Sequence, residues 1–388
     1  MTESTNKSEI EVLEQLMLDV EESTRIPEDE LQISVGSRDW TVETIALQIQ
    51  QGNIDLNPAF QRRNAWQDDK RSKLIESLIW GAPIPQIVLA ENKEKSRSWV
   101  VIDGKQRLLT IAGFLDPSIG YWKKPRLEGL TLFPELNGAT AKTLATDERF
   151  IEAYRRLMNA DVRCTLISNY ESDNVLYEIF YRINTGSTQL STQELRQVLC
   201  RGWFADWLIE TTSTPQPLHK ILKLDEPDVR LADAEILLRC ISVGLFEKNY
   251  RGDMKDFLDG SMRNVTKHVA KNIIESEYAD FNAGIMRLQE FFTPTEIGRK
   301  IVKGKLEGRF NRALFEVQVF YFSRLSVAEA KTICPEFKTQ FIDWLDLNNS
   351  FIESIESTTK SIGRTSIRFS EFGNMFNNLF HTEIASPV

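Results

Sequence analysis

The chain has 388 residues, 41% hydrophobic and 27% charged, which is the make-up of a globular protein of two or three structural units with room for sizeable cores. Its 47 basic and 56 acidic residues leave a net charge of −9, which excludes a polybasic, histone-like binder but not a local basic groove on an acidic body. No stretch approaches 18 uninterrupted apolar residues, and residues 1–30 lack a signal-peptide core, so the expectation is a cytoplasmic protein with no membrane partner.

In chain order, Ile10, Leu13, Leu16, Met17 and Val20 form a stripe among glutamates. It predicts an amphipathic helix over 9–22, packed on its own chain or docking a partner. Thr24 to Asp29, with Pro27, reads as a linker, and Leu31 to Val35 as a strand. Thr41 caps a helix running to about Gln51, where Gly52 stops it. Pro58 forces an extended or turn conformation on Asn57, just ahead of Gln61, Arg62 and Arg63. Asp68 to Trp80 is a helix with Leu74, Ile75, Leu78 and Ile79 inward, broken by Gly81-Ala-Pro-Ile-Pro85. Gln86 to Ala90 and Ser98 to Ile102 form a hairpin around a charged loop.

The hairpin leads into Asp103-Gly-Lys-Gln-Arg107, the most polar point of an apolar segment. Leu108, Leu109, Ile111, Ala112 and Leu115 then follow at helical spacing to about Asp116. Tyr121 to Thr146 is an irregular, Pro- and Gly-punctuated segment of the kind that often covers a site. Asp161 to Ile167 is a strand and Glu171 to Ile183 a helix, ending in the donor-rich loop Arg182 to Thr188. Ser191-x-x-Glu194 is a capping box for a helix carrying Arg196. Beyond it the β pattern all but disappears: 233–246, 312–325, 337–355 and 369–380 have helical period. The expected fold class is α+β, with an extension over 1–30, a mixed domain over 31–200 and an all-helical domain over 201–388.

Three polar sets follow apolar elements in the mixed domain: Gln61/Arg62/Arg63, Asp103/Lys105/Gln106/Arg107 and Arg182/Asn184/Thr185. A strand that turns through Gly into a helix offers free N–H groups and the positive end of the helix dipole, and Arg forks match phosphate oxygens. A lone Asp among phosphates repels them unless it binds a divalent cation, caps the helix or pairs with an Arg. Two readings of Asp103 to Arg107 therefore stand side by side: an anion site, or Asp103 as N-cap with Arg107 as its ion-pair partner.

Other chemistries drop out. Gly298 to Gly304 has one residue too many for a P-loop, and Leu306 follows Lys305. Glu91-Asn92-Lys93 has the look of a metal-dependent nuclease triplet but is common in hairpin loops. The histidines His219, His268 and His381 and the four cysteines Cys164, Cys200, Cys240 and Cys334 are scattered. That argues against zinc or His-Asn-His chemistry and for reduced, buried thiols.

The phrases NPAFQRRNAW (57–66), LIESLIWGAPIP (74–85), DGKQRLLTI (103–111) and FYRINTGSTQLSTQELR (180–196) occur in the same order as in the N-terminal domain family of GmrSD-type modification-dependent restriction enzymes, which the chain resembles over about 31–200. The resemblance implies a ParB/sulfiredoxin-like fold. It also implies NTP binding and hydrolysis, with Mg²⁺, coupled to sensing of phage or modified DNA or to a partner nuclease in bacterial defence. The family's Gln-Arg motif falls on Gln61 and Arg62, its Asp-Gly-Gln-Gln-Arg motif on Asp103, Gly104, Lys105, Gln106 and Arg107, and its Arg-x-Asn-x-Gly loop on Arg182, Asn184 and Gly186. Asp103, Gln106 and Arg107 are then the catalytic candidates, and Asp103 also the metal ligand. Gln61, Arg62, Arg63, Gly104, Lys105, Arg182, Asn184, Thr185 and Gly186 are the nucleotide-binding candidates. Lys105 departs from the family's Gln, which adds charge to a phosphate pocket and puts in doubt an amide's role in placing water. The competing readings are a DNA-binding sensor or scaffold with a degenerate pocket, and a self-contained ParB-like nuclease; a homo-oligomer is compatible with each.

Overall fold

The computed structural model describes residues 32–56, 66–93, 95–119, 121–122, 124–184, 191–325, 330–356 and 361–387. The expected helix over 9–22 and the linker after it lie outside the described residues. The chain divides into two compact units between Leu199 and Cys200.

The first unit is built on a five-stranded mixed sheet: β1 (Ser34–Thr41), β2 (Ile54–Asp55), β3 (Ile87–Glu91), β4 (Trp99–Asp103) and β5 (Asp161–Ser168), in the order β1-β5-β3-β4-β2. β1 pairs antiparallel with β5, β5 parallel with β3, β3 antiparallel with β4, and β4 parallel with β2. The near-continuous apolar runs of β3 and β4 reflect burial on both faces. Ile87, Leu89 and Val101 share one core with α1 (Val42–Gln50), α2 (Asp68–Trp80) and α3 (Lys105–Leu115). Val88, Ala90, Val100 and Ile102 face Val175, Leu176 and Phe180 of α6 (Asp173–Asn184) and Leu195 of α7 (Thr192–Leu199).

Thr41 caps α1 by accepting from the Thr44 N–H at 3.1 Å, and Gly81 ends α2 in the left-handed region at φ 84°. The strand expected over 31–35 instead occupies Ser34–Thr41. It is an outer strand exposed over most of its length, so no buried face imposes a readable alternation. The segment 121–146 is no loose cover. Trp122, Leu127, Leu130 and Leu136 enter the core, and Glu76 of α2 accepts from the Leu132 and Phe133 N–H groups at 2.8 and 3.1 Å. It continues into α4 (Ala141–Thr146) and α5 (Ile151–Met158).

The second unit is helical: α8 (Trp203–Thr211), α9 (Pro217–Leu222), α10 (Ala232–Phe246), α11 (Met254–His268), α12 (Lys271–Gln289), α13 (Arg312–Ser323), α14 (Ala330–Ile333), α15 (Phe337–Leu347), α16 (Asn349–Glu356) and α17 (Ile362–Phe380). α13 is buried from Arg312 to Phe322 and forms the axis of the core. Two corrections apply. The unit is not wholly helical, because Ile301–Val302 and Lys305–Leu306 form a two-stranded hairpin, β6 and β7. The single helix expected over 337–355 is two, since the Asn348 side chain accepts from the Phe351 N–H at 3.0 Å and starts a new helix. Among the described residues no helix is long and apolar enough to cross a membrane.

Candidate functional site at the end of strand β4

The site begins with a break in strand register. Leu89 pairs with Val101, but Val88 pairs with Asp103, so Ile102 is an extra residue, a β-bulge one position before the polar motif. A bulge bends its strand and re-aims the next side chain. Gly104 follows at φ 92°, where a Cβ would stand 2.9 Å from Ile87 Cγ1 and 3.2 Å from Arg107 Nη2. Both the left-handed backbone and the close approach demand glycine. Gly104, not Asp103, is the N-cap of α3, and among the described residues no side chain caps it. The first-turn N–H groups of α3 therefore have no intrahelical acceptor.

Asp103 instead engages Arg107. Nη2 of Arg107 donates to Asp103 Oδ2 at 2.7 Å and to the Gln86 carbonyl at 3.0 Å. The Arg107 and Asp103 side chains are 13% and 29% exposed, so the pair is fixed from within and open on one side. Nε of Arg107 is buried and makes no hydrogen bond among the described residues. Gln86 is itself anchored, its Oε1 accepting from the Thr165 hydroxyl of β5 at 3.0 Å. Of the second reading of the motif, the ion pair is present and the Asp103 cap is not.

The other candidates are placed unevenly. Gln106 Oε1 accepts from the Trp66 N–H at 3.3 Å, which ties α3 to the chain just after Gln61, Arg62 and Arg63. Those three lie outside the described residues, as do Thr185 and Gly186. Lys105 is almost wholly buried. Arg182 is exposed and pairs with Glu178 on its own helix at 2.6 Å. Asn184 is the last residue of α6. Tyr170, just after β5, donates to the Glu91 carbonyl at 2.6 Å, and the α6 that follows packs Val175, Leu176 and Phe180 with Val100 and Ile102 of β4.

Sequence reasoning missed three parts of this constellation. The Gln86 carbonyl is invisible to residue-type arguments, and the bulge depends on pairing between strands. The third is α7. Its capping box forms, Ser191 N–H donating to Glu194 Oε2 at 2.5 Å and Glu194 N–H to Ser191 Oγ at 3.1 Å, yet Gln193, Arg196 and Gln197 are buried too. The available signal was the polar run Thr-Gln-Glu-Leu-Arg-Gln with a single apolar residue.

The nuclease-like triplet has a structural role instead. Lys93 Nζ donates to the Glu171 carbonyl at 2.6 Å and sits 4.3 Å from the Tyr170 ring centre. Among the described residues no group of three His, Cys, Asp or Glu side chains is arranged to hold a metal ion. None of the four cysteines is in a disulfide. Burial pushes the Cys164 thiol up to about 12 and Cys240 well above its ordinary value, so neither is a ready thiolate nucleophile.

No curated protein and no solved structure matches the chain. The family model described as the GmrSD restriction endonuclease N-terminal domain does match, over residues 42–200. That span runs from the start of α1 through α7 and contains the whole motif series. The mixed unit thus resembles the GmrSD N-terminal domain family, and the resemblance suggests a component of a restriction-type defence system.

Proposed function

We propose that the Asp103–Arg107 end of α3 binds the phosphates of a nucleoside triphosphate and supports its hydrolysis, coupled to DNA sensing or to a partner nuclease. The observation that carries this reading is the half-open Asp103–Arg107 pair (2.7 Å), set at a helix N-terminus by the obligatory Gly104. An anion there meets the first-turn N–H groups, the helix dipole and a guanidinium together. Asp103 is a carboxylate that could hold Mg²⁺, which binds through one or two carboxylates plus substrate phosphates and water. Bound there, Mg²⁺ would neutralise phosphate charge.

In this reading Arg107 and Arg62 bind phosphate oxygens, with Gln61, Arg63, Lys105, Arg182, Asn184, Thr185 and Gly186 lining the nucleotide. Gln106 positions water or nucleotide. Catalysis then consists of in-line positioning and charge stabilisation. The test is phosphate release from a panel of NTPs, with and without DNA, by the full chain and by Arg107→Ala. Loss of turnover in a folded variant is expected; wild-type turnover in Arg107→Ala would sink the assignment. One observation favours a second reading, a DNA-binding sensor without turnover: Lys105 replaces the amide that could place water. Salt-dependent DNA affinity with no phosphate release is its signature.

A further inference from the structure

We infer that the Asp103–Arg107 pair is a self-occupied state of the nucleotide site, in which Asp103 holds the guanidinium a phosphate needs until a divalent cation draws the carboxylate away. This rests on the nucleotide reading above and adds to it a mode of regulation. Arg107 Nη2 meets Asp103 Oδ2 at 2.7 Å, the length of a charge-assisted bond to a carboxylate or a phosphate oxygen. The internal carboxylate therefore occupies the place of an incoming anion.

Nη2 has a second acceptor, the Gln86 carbonyl at 3.0 Å. That oxygen carries no formal charge, is held through the Gln86–Thr165 hydrogen bond and has no reason to leave when a cation arrives. Once Asp103 swings to a cation, the guanidinium stays tethered and aimed. A polyphosphate entering without a cation must displace Asp103 and then lie beside the carboxylate it released, a like-charge contact. Entering with Mg²⁺, it meets an aspartate already engaged by the metal. Cation and nucleotide thus raise each other's affinity reciprocally. Partial exposure of both side chains, 13% and 29%, lets the exchange occur without unfolding the turn.

The experiment is calorimetric titration of the full chain with ATP, GTP, CTP, UTP and inorganic tripolyphosphate in three buffers: EDTA, MgCl2 and hexaamminecobalt(III), which screens charge but cannot take a carboxylate into its inner shell. Wild-type affinity is expected to rise about tenfold or more in MgCl2, within the usual range of coupling between two ligands, and not in hexaamminecobalt. Asp103→Asn, whose amide is a weaker acceptor for Arg107, should bind in EDTA nearly as well as wild type does in MgCl2, and gain little from Mg²⁺. Asp103→Asn binding in EDTA no more tightly than wild type overturns the inference. If that variant does not fold, an equal gain from the two cations in wild type overturns it. Binding that ignores cations sinks this inference alone, whereas no binding of any of the five probes in any buffer removes the nucleotide reading and this inference with it.

Discussion

The two units use the same ion-pair chemistry in opposite ways. In the sheet unit, Asp103 and Arg107 form a single pair at a strand end, partly open to solvent and backed by a backbone carbonyl. In the helical unit, Arg239 pairs with Glu316 and lies 4.0 Å from Glu235, Arg312 lies 3.5 Å from Glu235, and Arg368 lies 3.9 Å from Glu316. All five side chains are buried, and they link α10, α13 and α17. Burial holds the Arg368 pKa below its ordinary value, against the pull of the Glu316 carboxylate. A buried network has no route for a ligand and fixes helix positions; a half-open pair contributes little stability and can exchange its partner.

The largest effect expected from that contrast is at Glu316. Glu316→Ala takes the carboxylate beside Arg368 and leaves Arg239 with Glu235 at 4.0 Å in a buried network, and should cost about 3–5 kcal/mol, read as a lower midpoint in chemical denaturation. Next is His219 of α9. Its Nδ1 accepts from the Gln216 N–H at 2.9 Å, which assigns the proton to Nε2, the donor to Asp233 at 2.8 Å. His219→Ala removes a donor from the buried Asp233 carboxylate and the acceptor of the half-buried Gln216 N–H, and should cost about 1–3 kcal/mol.

Gly104→Ala forces a left-handed backbone and a 2.9 Å contact with Ile87. It should cost about 1–2 kcal/mol and weaken nucleotide binding more than it weakens the fold. Arg107→Ala removes a part-exposed pair and the bond to the Gln86 carbonyl, so denaturation should detect about 1–2 kcal/mol, while on the proposed reading phosphate release is lost. If Arg107→Ala proved as destabilising as Glu316→Ala, the contrast between the two units would fail.

The smallest effect concerns Asp147, which is half-buried and held at about 2, below the usual carboxylate value of 3.8, by hydrogen bonds from the Arg149 side chain and backbone. A lowered carboxylate stabilises the folded state above its unfolded pKa. That contribution should fade as pH falls from near 4 toward 2. A melting series over this range should show the step in wild type and lose it in Asp147→Asn.

Much of the fold was legible in the chain because local chemistry agrees with it. The helix over Asp68–Trp80, the hairpin of β3 and β4, the Thr41 cap and the Ser191–Glu194 capping box all follow from periodicity and cap residues. Legibility failed in two places. β1 lies at an exposed edge, and Asn348 divides a helical pattern by capping the next helix with its own side chain.

The candidate site divides along the same line. Residue order alone marked Asp103 to Arg107 as a polar turn between strand and helix, and placed it in a motif series similar to that of a known domain family. Which residue caps the helix, where Arg107 points and what fixes it were decided by contacts far apart in sequence: the extra residue Ile102 in the β3–β4 ladder, Ile87 against Gly104, and the Gln86 carbonyl on the guanidinium. Sequence specifies the groups and their local conformations. Only packing fixes which of them meet, because strand register and side-chain distance belong to pairs of segments, not to either one alone.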